Sequence, residues 1–155
     1  MAYTKQSITA ALTSIPILCF FTNNVMTIGR IQGESMAPTL HTGDYVLIIK
    51  NRFRKLFFLR NLQPGDVVFF KSPQDSSVCC KRIKFEQHQA VDMINEKTVD
   101  EVHVVPTNHF FMVGDNLNNS IDSRKYGYVS NGLIVGYVSQ TAGVIWPPNR
   151  WMSKV

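Results

Sequence analysis

Residues 78–85 read Val-Cys-Cys-Lys-Arg-Ile-Lys-Phe. A short run of this kind is typical of a β-strand, in which successive side chains point to opposite faces of the sheet. One face then holds Lys81 among apolar side chains, and the opposite face is expected to be solvated. The apolar members of the Lys81 face are Cys79, Ile83 and Phe85. An inward-facing lysine is disfavoured unless it has a partner or a chemical role, so the strand predicts a lysine of functional interest.

Similar short apolar runs follow turn signals along most of the chain after residue 30. They predict strands at residues 45–49, 67–70, 78–85, 102–105, 109–113, 133–138 and 143–146. The polar stretch 86–101 predicts a hairpin or a surface excursion. Strands of this length and spacing predict a mainly β fold, built as a partly closed sheet or barrel.

Composition narrows the classes of function. The chain has 155 residues, 45% of them hydrophobic, which suits one domain with one core and a short appendage. Its 3 cysteines form no Cys-x-x-Cys pair, and its 4 histidines form no His-Glu-x-x-His motif. A disulfide framework, a metal site and a cofactor are therefore not expected.

The net charge of +5 favours a partner with an acidic surface. Basic residues and phenylalanines alternate between residues 50 and 60, which predicts either a solvated loop or a segment that faces an anionic membrane. No recognised nucleic-acid-binding motif accompanies them, so nucleic acid is not an expected partner.

The N-terminal region is apolar. Residues 8–21 carry no charge, and the uncharged run extends over 7–29, near the roughly 20 residues that span a bilayer. Three interpretations compete: a cleaved secretory signal, a buried core helix, or a single membrane anchor. Lys5 and Arg30 flank the run on either side, so charge does not specify an orientation.

A turn earlier in the chain offers a nucleophile. Residues 33–40 read Gly-Glu-Ser-Met-Ala-Pro-Thr-Leu, in which Gly33 permits unusual backbone angles and Pro38 restrains the chain after Ser35. Such a segment can expose a serine hydroxyl beside backbone N–H groups that stabilise an oxyanion. It also fits an ordinary turn before a helix.

Lys81 is the candidate base for that serine, because Ser-Lys dyads are a known form of serine hydrolase. A free lysine has a pKa of about 10.4 and is protonated at neutral pH, whereas desolvation lowers the pKa of a buried amine. The ordinary alternative is a lysine whose stem is buried while its amine reaches the surface.

A third block completes a pattern. Residues 114–124 read Gly-Asp-Asn-Leu-Asn-Asn-Ser-Ile-Asp-Ser-Arg. Together with the Ser-Met-x-Pro-Thr run at 35–39 and the Lys-Arg pair at 81–82, this block resembles the type I signal peptidases over roughly residues 23–151. Each motif alone is modest, but their occurrence in this order is highly specific.

The resemblance implies a role for each matched residue. Ser35 would be the nucleophile and Lys81 the general base. Ser120 would hydrogen-bond to Lys81 and orient it, while Asp122 and Arg124 would form a supporting ion pair.

The resemblance also implies how substrate is held. Met36 and Pro38 would contact the substrate. Some relatives carry a serine as an oxyanion donor where this chain has Gly33, so the oxyanion would depend on backbone N–H groups, chiefly that of Ser35.

The activity implied is that of a membrane-anchored serine endopeptidase that removes signal or sorting peptides. The resemblance favours the anchor among the three interpretations above, with residues 1–31 as the anchor and 32–155 as the peptidase domain. The small size and the ending Ile-Trp-Pro-Pro-Asn-Arg-Trp at 145–151 are most similar to the mitochondrial inner membrane members of the family.

That similarity implies a catalytic domain facing the intermembrane space. The implied partners are precursor proteins with cleavable sorting peptides, the lipid bilayer and a related catalytic subunit in a heteromeric complex. Two alternatives stay open: another signal peptidase of the same family, and a non-catalytic basic β-domain that binds an anionic membrane or a partner protein.

Overall fold

The structure is a computed structural model that describes residues 12–20, 23–56, 61–91, 103–139, 143–150 and 155. Residues 12–20 are helical (α1). The later elements are β1 (Met26–Arg30), β2 (Tyr45–Lys50), α2 (Asn51–Leu56), β3 (Val67–Lys71), β4 (Val78–Phe85), β5 (Ala90–Val91), β6 (His103–Val104), β7 (His109–Val113), α3 (Ser123–Tyr126), β8 (Val129–Ser130), β9 (Ile134–Val138) and β10 (Val144–Trp146). The mainly β class predicted from the sequence is confirmed.

Most strands belong to one antiparallel sheet with the order β1-β2-β9-β3-β4-β7-β8, and β10 also pairs with β2. β5 and β6 form a separate two-stranded pair, in keeping with the hairpin expected in the polar stretch. β4 lies inside the sheet, where β3 and β7 hydrogen-bond to its two edges. The strand that carries Lys81 is therefore held rigidly on both sides.

The core lies on both faces of the sheet. Along β3, Val67 and Phe69 point into one apolar cluster while Val68 and Phe70 point into a second. This alternation follows from the two-residue period of a strand. Ile31, Met36, Leu40, Val46, Ile48, Val138 and Val144 complete the first cluster, and Leu62, Ile83, Phe110, Met112, Val129, Ile134 and Tyr137 complete the second.

Predicted and observed strands agree closely where the alternation is strong. β4 and β7 have the bounds that the sequence predicts, and β2, β3, β9 and β10 differ by one residue at an end. The prediction at 102–105 corresponds to β6, although residue 102 is outside the described residues. The central part of the expected excursion, residues 92–100, is outside them as well.

Part of the basic segment is a helix rather than the predicted loop or membrane-facing segment. α2 begins at Asn51, whose side chain donates to the carbonyl of Ile134 and accepts from Nε of Arg54. Arg54 is buried, with 6% of its surface exposed. A helix of fewer than two turns is too short to show helical periodicity, and a contact distant in sequence fixes its start. Residues 57–60 are outside the described residues.

β1 lies on the N-terminal side of the predicted domain boundary after residue 31, which stays a prediction. This strand pairs along its whole length with β2, from Met26 opposite Ile49 to Arg30 opposite Tyr45. The sheet therefore includes residues that precede that predicted boundary. The uncharged run 7–29 therefore covers both helical residues and most of this edge strand, because the polar residues Asn23 and Asn24 between them carry no charge.

Only part of the predicted anchor is described, since residues 1–11 and 21–22 are outside the described residues. Among the helices that the structure describes, none is both long enough and apolar enough to cross a bilayer.

Candidate active site

The loop between β1 and β2 presents the candidate nucleophile. Its base is closed by hydrogen bonds from Ile31 N to Asp44 O (2.8 Å) and from Gly43 N to Ile31 O (3.0 Å). Gly33 adopts φ +84°, the left-handed conformation that glycine alone adopts without strain. Ser35 follows it and is half-buried. The predicted role of Gly33 in shaping this turn is thus seen in the backbone.

Lys81 lies on the inner face of β4, as the alternation predicts. It is 5% exposed and lies on the face that carries Ile83 into the second cluster. Its Nζ is 2.6 Å from Oγ of Ser35, 46 residues away in sequence. The structure therefore brings the two candidate catalytic groups into direct hydrogen-bond contact.

The environment of Lys81 favours its neutral form. Burial lowers the pKa of the amine below its ordinary value, and the opposing influence of Cys79, Cys80 and Asp122 is smaller. A neutral Nζ has a lone pair that accepts the hydroxyl proton of Ser35, whereas an ammonium has none. The arrangement can therefore activate a hydroxyl nucleophile.

Asp122 and Arg124 form the predicted ion pair at the start of α3. Nε and Nη2 of Arg124 each lie 2.8 Å from one carboxylate oxygen of Asp122, which is fully buried. The same carboxylate accepts from Gly114 N at 3.0 Å. Burial alone would raise the pKa of Asp122, but the hydrogen bonds from Arg124 and from Gly114 outweigh it and hold the pKa below its ordinary value.

Gly114 connects this pair to the nucleophile. A Cβ at position 114 would come within 2.5 Å of the Ser35 carbonyl oxygen and would collide with the side chain of Ser120. Only glycine fits between these two groups. The Asp122 carboxylate thus holds the backbone against which Ser35 rests.

Ser120 lies at the site but does not make the expected hydrogen bond to Lys81. Its Oγ is buried, and instead of contacting Lys81 it lies near the Asp122 carboxylate, where it helps to lower the pKa of that group. Nζ of Lys81 is instead directed to Ser35. The side chain of Ser120 packs against Gly114, so its orienting role stays a prediction.

Met36 is a core residue in this structure, and its contact with substrate stays a prediction. Its side chain is 1% exposed and packs in the first apolar cluster, which anchors the loop just after the nucleophile. Pro38, the other predicted substrate contact, is exposed. The motif alone could not separate these two environments, because both residues are apolar and near the serine.

Arg82 was missed as a structural residue of the site. It lies on the face of β4 opposite Lys81, which the sequence predicts to be solvated, yet it forms a two-point contact with Asp115, Nε to Oδ1 at 2.9 Å and Nη2 to Oδ2 at 2.7 Å. Its Nη1 also donates to Gly65 O at 2.8 Å. This pair ties β4 to the segment after β7, directly beside Lys81 and Gly114. The signal was their adjacency to residues already singled out.

An open groove of about 380 Å³ lies beside the nucleophile. It is lined by Gly33, Glu34, Ser35, Asn118, Asn119, Ser120, Ile121 and Lys125. Its walls therefore come from the nucleophile loop and from the 114–124 block. An extended peptide laid in this groove would pass the hydroxyl of Ser35.

Comparison with known proteins agrees with the motifs. A family model described as signal peptidase, peptidase S26, matches residues 3–84 and 84–142. The chain is 33% identical over 148 residues to the mitochondrial inner membrane protease subunit 2 of Saccharomyces cerevisiae, covering 91% of this chain and 80% of that protein.

Two further relatives are similar. The mitochondrial inner membrane protease subunit 1 of Schizosaccharomyces pombe is 36% identical over 125 residues, covering 79% of this chain and 75% of that protein. Among solved structures, a signal peptidase I from Enterococcus faecalis is similar with a TM-score of 0.39 and 18% identity, covering 52% of this chain and 98% of that chain.

Proposed function

Because the chain belongs to the signal peptidase family, peptidase S26, we propose that it is a serine endopeptidase in which Ser35 is the nucleophile and Lys81 the general base. The observation that carries this proposal is the 2.6 Å contact between Nζ of Lys81 and Oγ of Ser35, made by an amine that is 5% exposed. Serine peptidase activity follows from the family, and the assignment of the dyad rests on this geometry.

The reaction begins with proton transfer from Ser35 to the neutral amine of Lys81. The oxygen attacks the scissile carbonyl, and the backbone N–H of Ser35 donates to the oxyanion that forms. The protonated lysine then gives its proton to the leaving amine. Water, activated by the same lysine, releases the acyl group from Ser35.

The substrates we propose are precursor proteins with cleavable signal or sorting peptides. The open groove beside Ser35 supports an extended peptide, and the resemblance to signal peptidases favours small side chains before the scissile bond. The S. cerevisiae relative is a mitochondrial inner membrane protease subunit. By analogy we place this chain at that membrane, with its groove facing the intermembrane space, beside a related catalytic subunit.

Two substitutions test the dyad. We expect Ser35→Ala and Lys81→Met each to abolish cleavage of a presequence-bearing precursor while the circular dichroism spectrum is retained. Lys84→Met is the matched control, because Lys84 is exposed on the same strand. Normal cleavage by both Ser35→Ala and Lys81→Met would overturn the proposal and favour a binding role for the domain.

A further inference from the structure

We propose that Asn116 is a positioning residue that aims the oxyanion-binding N–H of Ser35, an inference that rests on the proposed function. Asn116 lies two residues after Gly114, just before the 3₁₀ turn Leu117–Asn119. Within the described residues, it makes no hydrogen bond to the reacting atoms, Oγ of Ser35 and Nζ of Lys81. Its role is exerted through the backbone of the nucleophile loop.

Two hydrogen bonds connect Asn116 to that loop. Its backbone N–H donates to the carbonyl of Ser35 at 3.0 Å, and its side-chain Nδ2 donates to the carbonyl of Glu34 at 3.0 Å. The Glu34 carbonyl also accepts from Ala37 N at 3.2 Å. Asn116 therefore holds the carbonyls on both sides of the nucleophile.

Because the Glu34–Ser35 peptide is planar, the hydrogen bond from Asn116 to the Glu34 carbonyl also sets the direction of the Ser35 N–H. In a planar trans unit the C=O of one residue and the N–H of the next point in opposite directions. The Glu34–Ser35 bond is not among the cis bonds of the described chain. By holding the Glu34 oxygen on one side, Nδ2 of Asn116 fixes the Ser35 N–H on the other.

That N–H is available for substrate. Within the described residues the amide of Ser35 donates to no protein acceptor, although Ser35 is half-buried and lines the groove. Backbone donors in folded chains are rarely left unpaired unless water or a ligand serves them. A carbonyl oxygen of a bound peptide is the acceptor that the proposed reaction supplies.

The direction of the Ser35 N–H is important in this chain because the residue at position 33 offers no second side-chain donor to the oxyanion. Gly33 has no side-chain hydroxyl, so it cannot supply a second donor of the kind that some relatives carry. Loss of one oxyanion donor typically lowers kcat by about 10²- to 10³-fold. Misdirection of the donor should cost part of that, about 10- to 100-fold.

The test compares Asn116→Asp and Asn116→Ala with the wild-type chain. Aspartate keeps the shape of the side chain but offers no donor to the Glu34 carbonyl and repels it. Both variants keep the backbone N–H that binds Ser35. Asn131→Ala is the matched control, because that asparagine also bridges two segments through its side chain, 3.4 Å from Oδ1 of Asn108, away from the groove.

Three measurements distinguish a positioning role of Asn116 from a purely structural one. They are kcat and KM for a peptide substrate, the affinity for a peptide boronate that forms a tetrahedral adduct with serine, and the affinity for an uncleavable substrate peptide. We expect kcat and boronate affinity to fall together, by about 10- to 100-fold. KM, binding of the uncleavable peptide and the pH at half-maximal kcat should stay at wild-type values, because neither the groove nor Lys81 is altered.

Several results would overturn the inference. Unchanged kcat in both variants would do so, as would equal losses of boronate and uncleavable-peptide affinity, a shifted pH profile, or loss of the folded state in both variants as judged by melting. Failure of the proposed function gives a different result. In that case the wild-type chain neither cleaves substrate nor binds boronate above the level of Ser35→Ala, and both proposals fall together.

Discussion

At the scale of single residues, the burial of Lys81 lowers the stability of the fold and also makes the amine a better base. Its amine is buried, and among the described residues it hydrogen-bonds to the hydroxyl of Ser35 and has no carboxylate ion pair. Burying a cationic group without an ion pair costs free energy, which the fold lowers by releasing the proton. The same loss of the proton makes the amine a base. The residue that destabilises the core is therefore the one that the proposed reaction needs.

Lys81→Met should stabilise the chain in a pH-dependent way. Burial lowers the pKa of Lys81 below its ordinary value of 10.5, so the unfolded chain binds this proton more tightly than the folded chain does. The free energy of unfolding of the wild type therefore rises with pH between the folded pKa and 10.5. Below that window the penalty is complete. We expect the variant to melt at least ~2–4 °C higher at neutral pH, which corresponds to about 1 kcal/mol.

Urea titrations between pH 6 and 10 check this prediction. The gain in the free energy of unfolding from Lys81→Met should shrink as the pH approaches 10.5, the ordinary pKa of a lysine. Lys84→Met provides the comparison, since Lys84 is exposed. An advantage that is constant with pH would show that it arises from packing and not from the proton.

Gly114 should tolerate no side chain. Gly114→Ala places a Cβ against Ser120 and the Ser35 carbonyl, and we expect a loss of about 1–3 kcal/mol in the free energy of unfolding. Displacement of Ser35 should lower kcat by at least about 100-fold, because small misplacements of reacting groups are costly. Gly132→Ala is the control, since its nearest neighbour would be Oγ of Ser130 at 3.6 Å. Wild-type turnover by Gly114→Ala would contradict the close approach.

At the scale of elements, three segments converge on the site. β4 brings Lys81 from the centre of the sheet, the loop after β1 brings Ser35, and the segment after β7 lies between them at Gly114. The Arg82–Asp115 pair ties this last segment to β4, and the Asp122–Arg124 pair stabilises the segment internally. Two-point contacts between guanidinium and carboxylate fix geometry as well as add energy, which suits a site where atoms must meet within tenths of an ångström.

The C-terminal turn Pro148–Arg150 supports the nucleophile loop from the other side. Nη2 of Arg150 donates to Thr39 O at 2.8 Å and lies 3.3 Å from the buried carboxylate of Asp44. Arg150→Met would leave that carboxylate without its cation. We expect a loss of about 2–4 kcal/mol in the free energy of unfolding and a lower kcat.

Chemical denaturation and peptide cleavage measured on the same preparation test this prediction. Arg52→Met is the matched control, because Arg52 is exposed on α2. If both variants lose the same small amount of stability, the turn does not support the loop.

At the scale of the whole molecule, the sheet is buried on both faces and begins with β1. Val25 and Ile31, which flank β1, are 4% and 3% exposed. Each such side chain contributes about 1.5–3 kcal/mol on burial, a large fraction of the 5–15 kcal/mol that holds a typical domain together. We therefore propose that the folded domain includes this edge strand.

A chain shortened to residues 24–155 should therefore fold, whereas one shortened to 32–155 should not. The first keeps β1 and both flanking side chains, and the second removes them. Melting curves and amide exchange in β2 report the difference, since β1 pairs with β2. Equal stability of the two shortened chains would show that β1 is dispensable and would support the predicted boundary after residue 31.

The sequence by itself determined the strands, their faces and the residues worth testing. The bounds of β4 and β7 follow from short-range alternation and turn residues, and so does the inward direction of Lys81, because the side-chain period of a strand is a local property. The positive φ of Gly33 is also a local property, because glycine lacks the Cβ that disfavours this conformation.

Only the tertiary structure decided which groups meet. The contact between Lys81 and Ser35, the pairing of Arg82 with Asp115, the burial of Met36 and the inclusion of β1 in the sheet all join segments distant in the chain. The residues next to a side chain in the sequence do not indicate which distant residue it will contact. Whether an arginine is solvated or paired, and whether a methionine faces substrate or core, depends on what the rest of the fold packs against it.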